Sequence, residues 1–272
     1  MPDQYAVIGN PVAHSKSPLI HAAFARQTGQ DLIYEKLSAP KDAFVATANA
    51  FRARGGRGLN VTLPFKGEAF RYATELSGRA RAAQAVNTLK FDGEAIFGDN
   101  TDGAGLVNDL LRNLGYAIAG RRLLLLGAGG AARGVVEPLL QQGPAQFLLA
   151  NRTLDKAQQL ARSFRGALEA STYTSLAGRQ FDLVVNATSA SLAGELPPLP
   201  PGVFAHGALA YDMMYGRGET PFLAFARKQG AALSADGLGM LVEQAAESFF
   251  IWRGVRPDGA AVLKLLRQAQ DA

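Results

Sequence analysis

The sequence predicts an α/β protein with two domains, one of which carries a glycine-rich turn between a strand and a helix. Three observations lead there. Strand-like and helix-like signals alternate along the whole chain, the pattern of α/β architecture. The 272 residues are enough for two domains with full cores. Leu123 to Arg133 reads as an apolar strand, a glycine-rich turn and the start of a helix.

Element by element, Tyr5 to Ile8 is a short apolar strand that ends in Gly9-Asn10-Pro11. Ser17-Pro18 opens a helix, with serine as N-cap and proline at the first helical position, and Gly29 closes it. A second strand spans Leu32 to Leu37. The helix after it places Phe44, Val45, Ala48 and Phe51 on one face. Gly58 to Thr62 is a third strand, and Thr88 to Phe97 a hairpin around Asp92-Gly93. A helix from Gly103 to Leu114 buries Leu106, Val107, Leu110, Leu111 and Leu114 and leads to the second domain. There the expected order is strand Arg122 to Leu126, helix Gly130 to Gln142, strand Ala145 to Ala150, helix Leu154 to Phe164 and strand Phe181 to Asn186. An exposed loop at Pro197 to Pro201 precedes a strand through Ala208 to Asp212. Helices from Met240 to Arg253 and Gly259 to Gln270 follow the turn Gly237-Leu238-Gly239.

Composition narrows the function classes. No apolar run approaches the ~18 residues of a membrane span, and no partnership with a membrane is expected. The N-terminus lacks the basic and apolar segments of a signal peptide, so a cytoplasmic location is expected. The absence of cysteine removes disulfides, thiolate catalysis and Cys–zinc sites. The net charge of +5 is a modest basic surface that also suits an anionic substrate or a phosphorylated cofactor. Nucleic-acid binding is not expected: Arg52, Arg54 and Arg57 are the only dense basic group and have no interleaved aromatics. His14 and His21 lack further ligands, so no metal site is expected.

Two segments carry chemistry. In Gly127-Ala128-Gly129-Gly130-Ala131-Ala132, Gly127 permits a tight turn and Gly129 lets the backbone approach a pyrophosphate at a helix N-terminus. The next strand ends in Asn151-Arg152-Thr153, with Lys156 one turn on. No acid stands there to take a ribose 2′-hydroxyl, whereas a guanidinium grips a 2′-phosphate, so NADP(H) is favoured over NAD. Solvated helix-start cations are the other reading of Arg152 and Lys156. The second segment is Asn60-Val61-Thr62-Leu63-Pro64-Phe65-Lys66, followed by Gly98-Asp99-Asn100-Thr101-Asp102-Gly103. A lysine and a carboxylate brought to one cleft form a proton-transfer pair. Asp102 could equally be the N-cap of the helix beginning at Gly103, and Ser17 has the same capping alternative.

Together these motifs resemble the shikimate dehydrogenase family. Gly9 to Pro18, Asn60 to Lys66, Ala85-Val86-Asn87-Thr88, Gly98 to Gly103, Gly127 to Arg133, Asn151 to Thr153, Asn186-Ala187-Thr188-Ser189, Tyr211 to Tyr215 and Gly237 to Gln244 occur in the family's order over nearly the whole chain. The resemblance implies reversible NADPH-dependent reduction of 3-dehydroshikimate to shikimate, in chorismate and aromatic amino-acid biosynthesis. It implies a substrate domain of residues 1–102 with 239–272, a Rossmann-like NADP domain of residues 103–238, and reactants held between them. By the family pattern, Ser15 and Ser17 bind the substrate carboxylate. Thr62, Lys66, Asn87, Asp102 and Gln244 contact ring hydroxyls, Tyr215 lines the site, and Lys66 and Asp102 are the catalytic pair. Gly127, Ala128, Gly129, Gly130, Ala131, Asn151, Arg152, Thr153, Lys156 and Thr188 form the cofactor site, with Met213, Gly237 and Met240 near the nicotinamide. A quinate/shikimate dehydrogenase and a catalytically silent NADP-binding regulator are the alternatives. The assembly expected is a monomer or homodimer.

Overall fold

The structure, a computed structural model, describes residues 2–188, 195–216 and 218–271. The chain forms two compact units, Met1–Gly105 with Leu241–Ala272, and Leu106–Met240.

The first unit begins β1 (Asp3–Gly9), α1 (Ser17–Thr28), β2 (Leu32–Ser38), α2 (Phe44–Ala53), β3 (Gly56–Val61) and α3 (Lys66–Tyr72). It continues β4 (Glu75–Leu76), α4 (Gly78–Ala83), β5 (Thr88–Asp92) and β6 (Ala95–Asp99). Its sheet has the order β2-β1-β3-β5-β6-β4. β1 runs parallel to β2 and β3, whereas β5 is antiparallel to both β3 and β6. β1, β3 and β6 therefore all end at one edge of the sheet, and β5 begins there. Phe44, Phe51, Leu59, Val61 and Phe65 are buried together beneath that edge. Each such side chain contributes about 1.5–3 kcal/mol by leaving water.

The second unit contains β7 (Arg122–Leu126), α6 (Gly130–Leu140), β8 (Gln146–Ala150), α7 (Leu154–Ser163) and β9 (Glu169–Ser171). β10 (Phe181–Asn186), β11 (Phe204–Asp212), α8 (Pro221–Lys228) and β12 (Leu233–Asp236) complete it. All its strands are parallel, in the order β12-β11-β10-β7-β8-β9. That is the doubly wound order of a Rossmann domain, with its switch point between β7 and β10. α5 (Asp102–Asn108) and α9 (Leu238–Arg253) run through the unit boundaries, and α10 (Gly259–Asp271) ends the chain.

Several expectations need correction. Ser17 is not an N-cap: Lys16 holds that position without a side-chain bond, and the Ser17 N–H donates to Ser15 Oγ at 3.3 Å. A hydroxyl two residues upstream thus serves a free N–H of the first turn. The helix expected from Gly103 to Leu114 is α5 followed by a π-helical turn, Asp109–Asn113. The extra residue in that turn rotates Leu111 and Leu114 off the buried face, leaving them 40% and 39% exposed. Val45 likewise faces outward, at 45% exposed. The hairpin pairs Asp92 with Ala95, so its loop is Gly93-Glu94, one residue later than expected.

Candidate active site

The topology of the first unit gathers six of the predicted substrate residues at one end of its sheet, whereas Gln244 is on α9 and Tyr215 belongs to the second unit. Ser15 and Ser17 follow β1, Thr62 and Lys66 follow β3, Asn87 precedes β5, and Asp102 follows β6. Asn10 N donates to Leu63 O at 3.0 Å, joining the first two loops. Phe65 is fully buried and stacks on Phe44 at 5.5 Å, so the backbone of its neighbour Lys66 is anchored. Lys66 O also accepts from Val86 N at 2.9 Å.

The Lys66 ammonium donates to Asp102 Oδ2 at 2.6 Å. Asp102 Oδ1 accepts from Asn87 Nδ2 at 2.8 Å. Both carboxylate oxygens are thus occupied, and neither caps α5. Asn100 does that work, its Oδ1 accepting from Asp102 N at 3.2 Å. The Asn87 amide has a determined orientation. Thr101 N is an obligate donor and lies 2.8 Å from Asn87 Oδ1, so the amide NH₂ must face Asp102. Gln244, on α9, accepts from the same NH₂ at 3.2 Å. Lys66, Asp102, Asn87 and Gln244 thereby form one connected group. Ser15 and Ser17 form a separate pair, with 3.2 Å between their hydroxyl oxygens. Among the described residues the Thr62 hydroxyl makes no hydrogen bond, although its backbone accepts from Phe65 N at 3.0 Å. His21 is fully buried and bonded to Asn60 Oδ1 at 3.1 Å.

The second unit holds the predicted nucleotide residues. Gly127 follows β7 at the switch point with φ of +101°, and a Cβ there would lie 3.0 Å from Thr188 Cγ2. Both the torsion and the contact favour glycine. Ala128 is half-buried and Ala131 exposed in the same turn. A Cβ on Gly129 or Gly130 would meet nothing within 4 Å, so the N-terminus of α6 is open on that side. Arg152 and Lys156 are exposed at the tip of β8 and the start of α7. Among the described residues neither has a carboxylate partner. Asn151 Nδ2 donates to Thr153 O at 2.9 Å and shapes the turn between them. An open helix N-terminus with two uncommitted cations beside it fits a dinucleotide bearing an extra phosphate.

On the other side of the switch point, Thr188 N and Oγ1 donate to Asn186 Oδ1 at 3.1 and 2.7 Å. Asn186 Nδ2 donates to the buried Asp212 at 3.1 Å. Gly237 N donates to Met214 O at 3.1 Å, and a Cβ on Gly237 would lie 2.2 Å from Met213 O. Met213 and Met240 are buried in one apolar cluster. Tyr215 is half-buried, and its phenol pKa is raised by burial and then by Asp236. Ser189 lies outside the described residues.

Sequence reasoning missed the buried polar groups beneath the first site: Thr88, Thr101 and Ser248, none of them exposed to solvent. Thr88 and Thr101 sit inside motifs already singled out. Ser248 had one available signal, its position one helical turn after Gln244.

A doubly wound domain with a glycine turn at its switch point, and a lysine–carboxylate pair on a second unit, define a nicotinamide-dependent oxidoreductase by class. Comparison with known proteins narrows this. Family models described as shikimate dehydrogenase substrate binding domain, shikimate/quinate 5-dehydrogenase and shikimate 5′-dehydrogenase C-terminal domain match residues 7–89, 109–193 and 237–267. A shikimate dehydrogenase (NADP(+)) of Nitrosospira multiformis is 63% identical over 99% of this chain and 98% of its own. The crystal structure of an Ael1 enzyme from Pseudomonas putida is 51% identical with a TM-score of 0.93, covering 97% of this chain and 98% of that one. A shikimate 5-dehydrogenase from Thermus thermophilus, solved with NADP(H) and shikimate, is 34% identical with a TM-score of 0.88, covering 98% and 99%. The chain belongs to the shikimate dehydrogenase family, and it is an NADP-dependent oxidoreductase. No helix among the described residues is long and apolar enough to cross a membrane.

Proposed function

We propose that the protein catalyses the reversible NADPH-dependent reduction of 3-dehydroshikimate to shikimate, with Lys66 and Asp102 as the proton-handling pair. This reaction belongs to chorismate and aromatic amino-acid biosynthesis. The observation that carries the assignment is the Lys66–Asp102 contact of 2.6 Å, with the second carboxylate oxygen held by Asn87. Bound NADPH supplies the hydride that reduces the keto carbon. Lys66, as ammonium, stabilises the negative charge that develops on the keto oxygen and donates the proton there. Asp102 orients that ammonium and accepts a hydrogen bond from the neighbouring ring hydroxyl. Asn87 and Gln244 hold the remaining ring hydroxyl. The Thr62 hydroxyl, having no partner among the described residues, is available to the ring as well. Ser15 and Ser17 at the start of α1 receive the carboxylate, an anion at a helix N-terminus.

Replacing Lys66 tests the assignment. Lys66→Ala should lower kcat by about 10²–10⁴ with the fold retained, the range for a positioned acid–base group. Asp102→Asn should also lose most activity, although asparagine caps a helix about as well as aspartate. Near-normal turnover in Lys66→Ala, read from steady-state kinetics, removes it from the mechanism.

A further inference from the structure

We propose that the buried hydroxyls of Thr88, Thr101 and Ser248 position Asn87 and Gln244 for the substrate's ring hydroxyls, with Thr101 the member that governs both. The inference rests on the shikimate reading above. The three side chains come from β5, the turn before α5, and α9, and none is exposed to solvent. Thr88 and Ser248 are 2.7 Å apart, Thr101 and Ser248 3.3 Å, and Thr88 and Thr101 3.5 Å.

Counting hydrogens shows which bonds are committed. Each hydroxyl has one hydrogen to give. Asn60 Nδ2 donates into the cluster, to Ser248 at 3.0 Å and Thr88 at 3.3 Å. Asn60 must face this way, because its NH₂ also lies 3.4 Å from the Asn87 carbonyl oxygen, which can only accept. Ser248 Oγ donates to Gln244 O, one turn back on α9, at 3.0 Å. Thr88 Oγ1 lies 2.7 Å from Ser248 Oγ and 3.0 Å from Asn87 Oδ1, so its hydrogen can serve either. Asn87 Oδ1 also accepts from the Thr101 backbone N–H at 2.8 Å.

Of the three, Thr101 alone reaches the side-chain amides of both Asn87 and Gln244. Its oxygen accepts from Asn87 Nδ2 at 2.9 Å. Its hydrogen has both Asn87 Oδ1, at 3.2 Å, and Gln244 Oε1, at 3.4 Å, within reach. When a ring hydroxyl draws on either amide, rotation of one buried hydroxyl can compensate the other. Losing it leaves the Asn87 NH₂ only Asp102 and Gln244 as acceptors and removes the hydroxyl that contacts both amides. Thr101 does not touch the reacting atoms; it acts through Asn87 and Gln244.

Thr101→Val, which keeps the branched shape and removes the hydroxyl, tests this in the full-length enzyme. The shikimate KM should rise about tenfold with a smaller fall in kcat, and the NADP⁺ KM should stay within about twofold. Thr101→Ser should restore the shikimate KM to within about threefold. In a double-mutant cycle, Thr101→Val and Gln244→Ala should combine less than additively. An unchanged shikimate KM in folded Thr101→Val overturns the proposal, as does failure of Thr101→Ser to restore it. An equal rise in both KM values also overturns it. Should Thr101→Val not fold, Ser248→Ala carries the same KM comparison with the same criteria. Asn87→Ala and Gln244→Ala separate the two claims. If both raise the shikimate KM while Thr101→Val does not, the positioning role alone fails. If neither does, the ring-hydroxyl reading itself fails.

Discussion

At the scale of single residues, the two sites differ in which polar atoms are committed and which are exposed. Asp102 is surrounded by donors, Lys66 on one oxygen and Asn87 on the other, an arrangement that keeps the ammonium pointed. Arg152 is the opposite case: exposed, at the tip of a parallel strand, and without a carboxylate partner among the described residues. A guanidinium so placed can form paired hydrogen bonds with a phosphate, each charged bond contributing about 1.5–3 kcal/mol. Arg152→Ala should therefore weaken NADP(H) by about 10–100-fold and leave NAD(H) little changed. Calorimetric titration of both cofactors checks this. Equal weakening would make Arg152 a support for its loop rather than a phosphate ligand.

At the scale of elements, buried packing controls a property that activity assays do not see. His21 on α1 lies flat on Tyr34 of β2, with ring centroids 4.3 Å apart, and packs near Phe249 and Trp252 of α9. Burial lowers its pKa from 6.5 to about 3, against a small opposing effect of the Asn60 hydrogen bond. The histidine is therefore neutral when folded but binds a proton when unfolded, once the pH falls below 6.5. The unfolded state is favoured increasingly as pH falls from 6.5 towards 3. Between pH ~7 and ~4.5 this single group should remove about 2–3 kcal/mol of stability. Urea denaturation at the two pH values measures it, with His21→Gln as the reference, since glutamine keeps a donor for Asn60 and does not titrate. The wild-type loss should exceed the variant's by about that amount; parallel losses would show that His21 does not titrate on unfolding.

The elements also show what the sequence made legible. β7 and β10 lie where they were expected, because strands of a doubly buried parallel sheet are continuous apolar runs bounded by polar or glycine turns. Lys66, Asn87 and Asp102, which the fold joins by hydrogen bonds, were legible as candidates for the same reason: each lies inside a compact local pattern. The π-helical turn at Asp109–Asn113 left no such trace, since an added residue in a helix is decided by tertiary contacts, here the buried Asp109 that accepts from Tyr211 Oη at 2.6 Å. α8 is too short to display a period, although Thr220 caps it and Pro221 follows. Thr101 and Ser248 escaped notice because the cluster joins segments distant in sequence. Its contacts appear only after β5, β6 and α9 have been brought together.

At the scale of the whole molecule, one chain builds a Rossmann-ordered unit with an open glycine turn and a second unit whose sheet edge gathers a carboxylate–lysine pair, amides and hydroxyls. In the proposed reaction the serine pair at the start of α1 receives a planar ring carboxylate. Quinate adds a hydroxyl on a tetrahedral carbon beside that group and would displace one serine contact, a loss of about 1.5–3 kcal/mol. The most direct test pairs shikimate or quinate with NADP⁺ or NAD⁺ in a spectrophotometric assay of the purified protein, comparing kcat/KM across the four combinations. Shikimate with NADP⁺ should exceed each other combination by about tenfold or more. Comparable values for quinate, or for NAD⁺, or no turnover with shikimate and NADP⁺, would contradict the account.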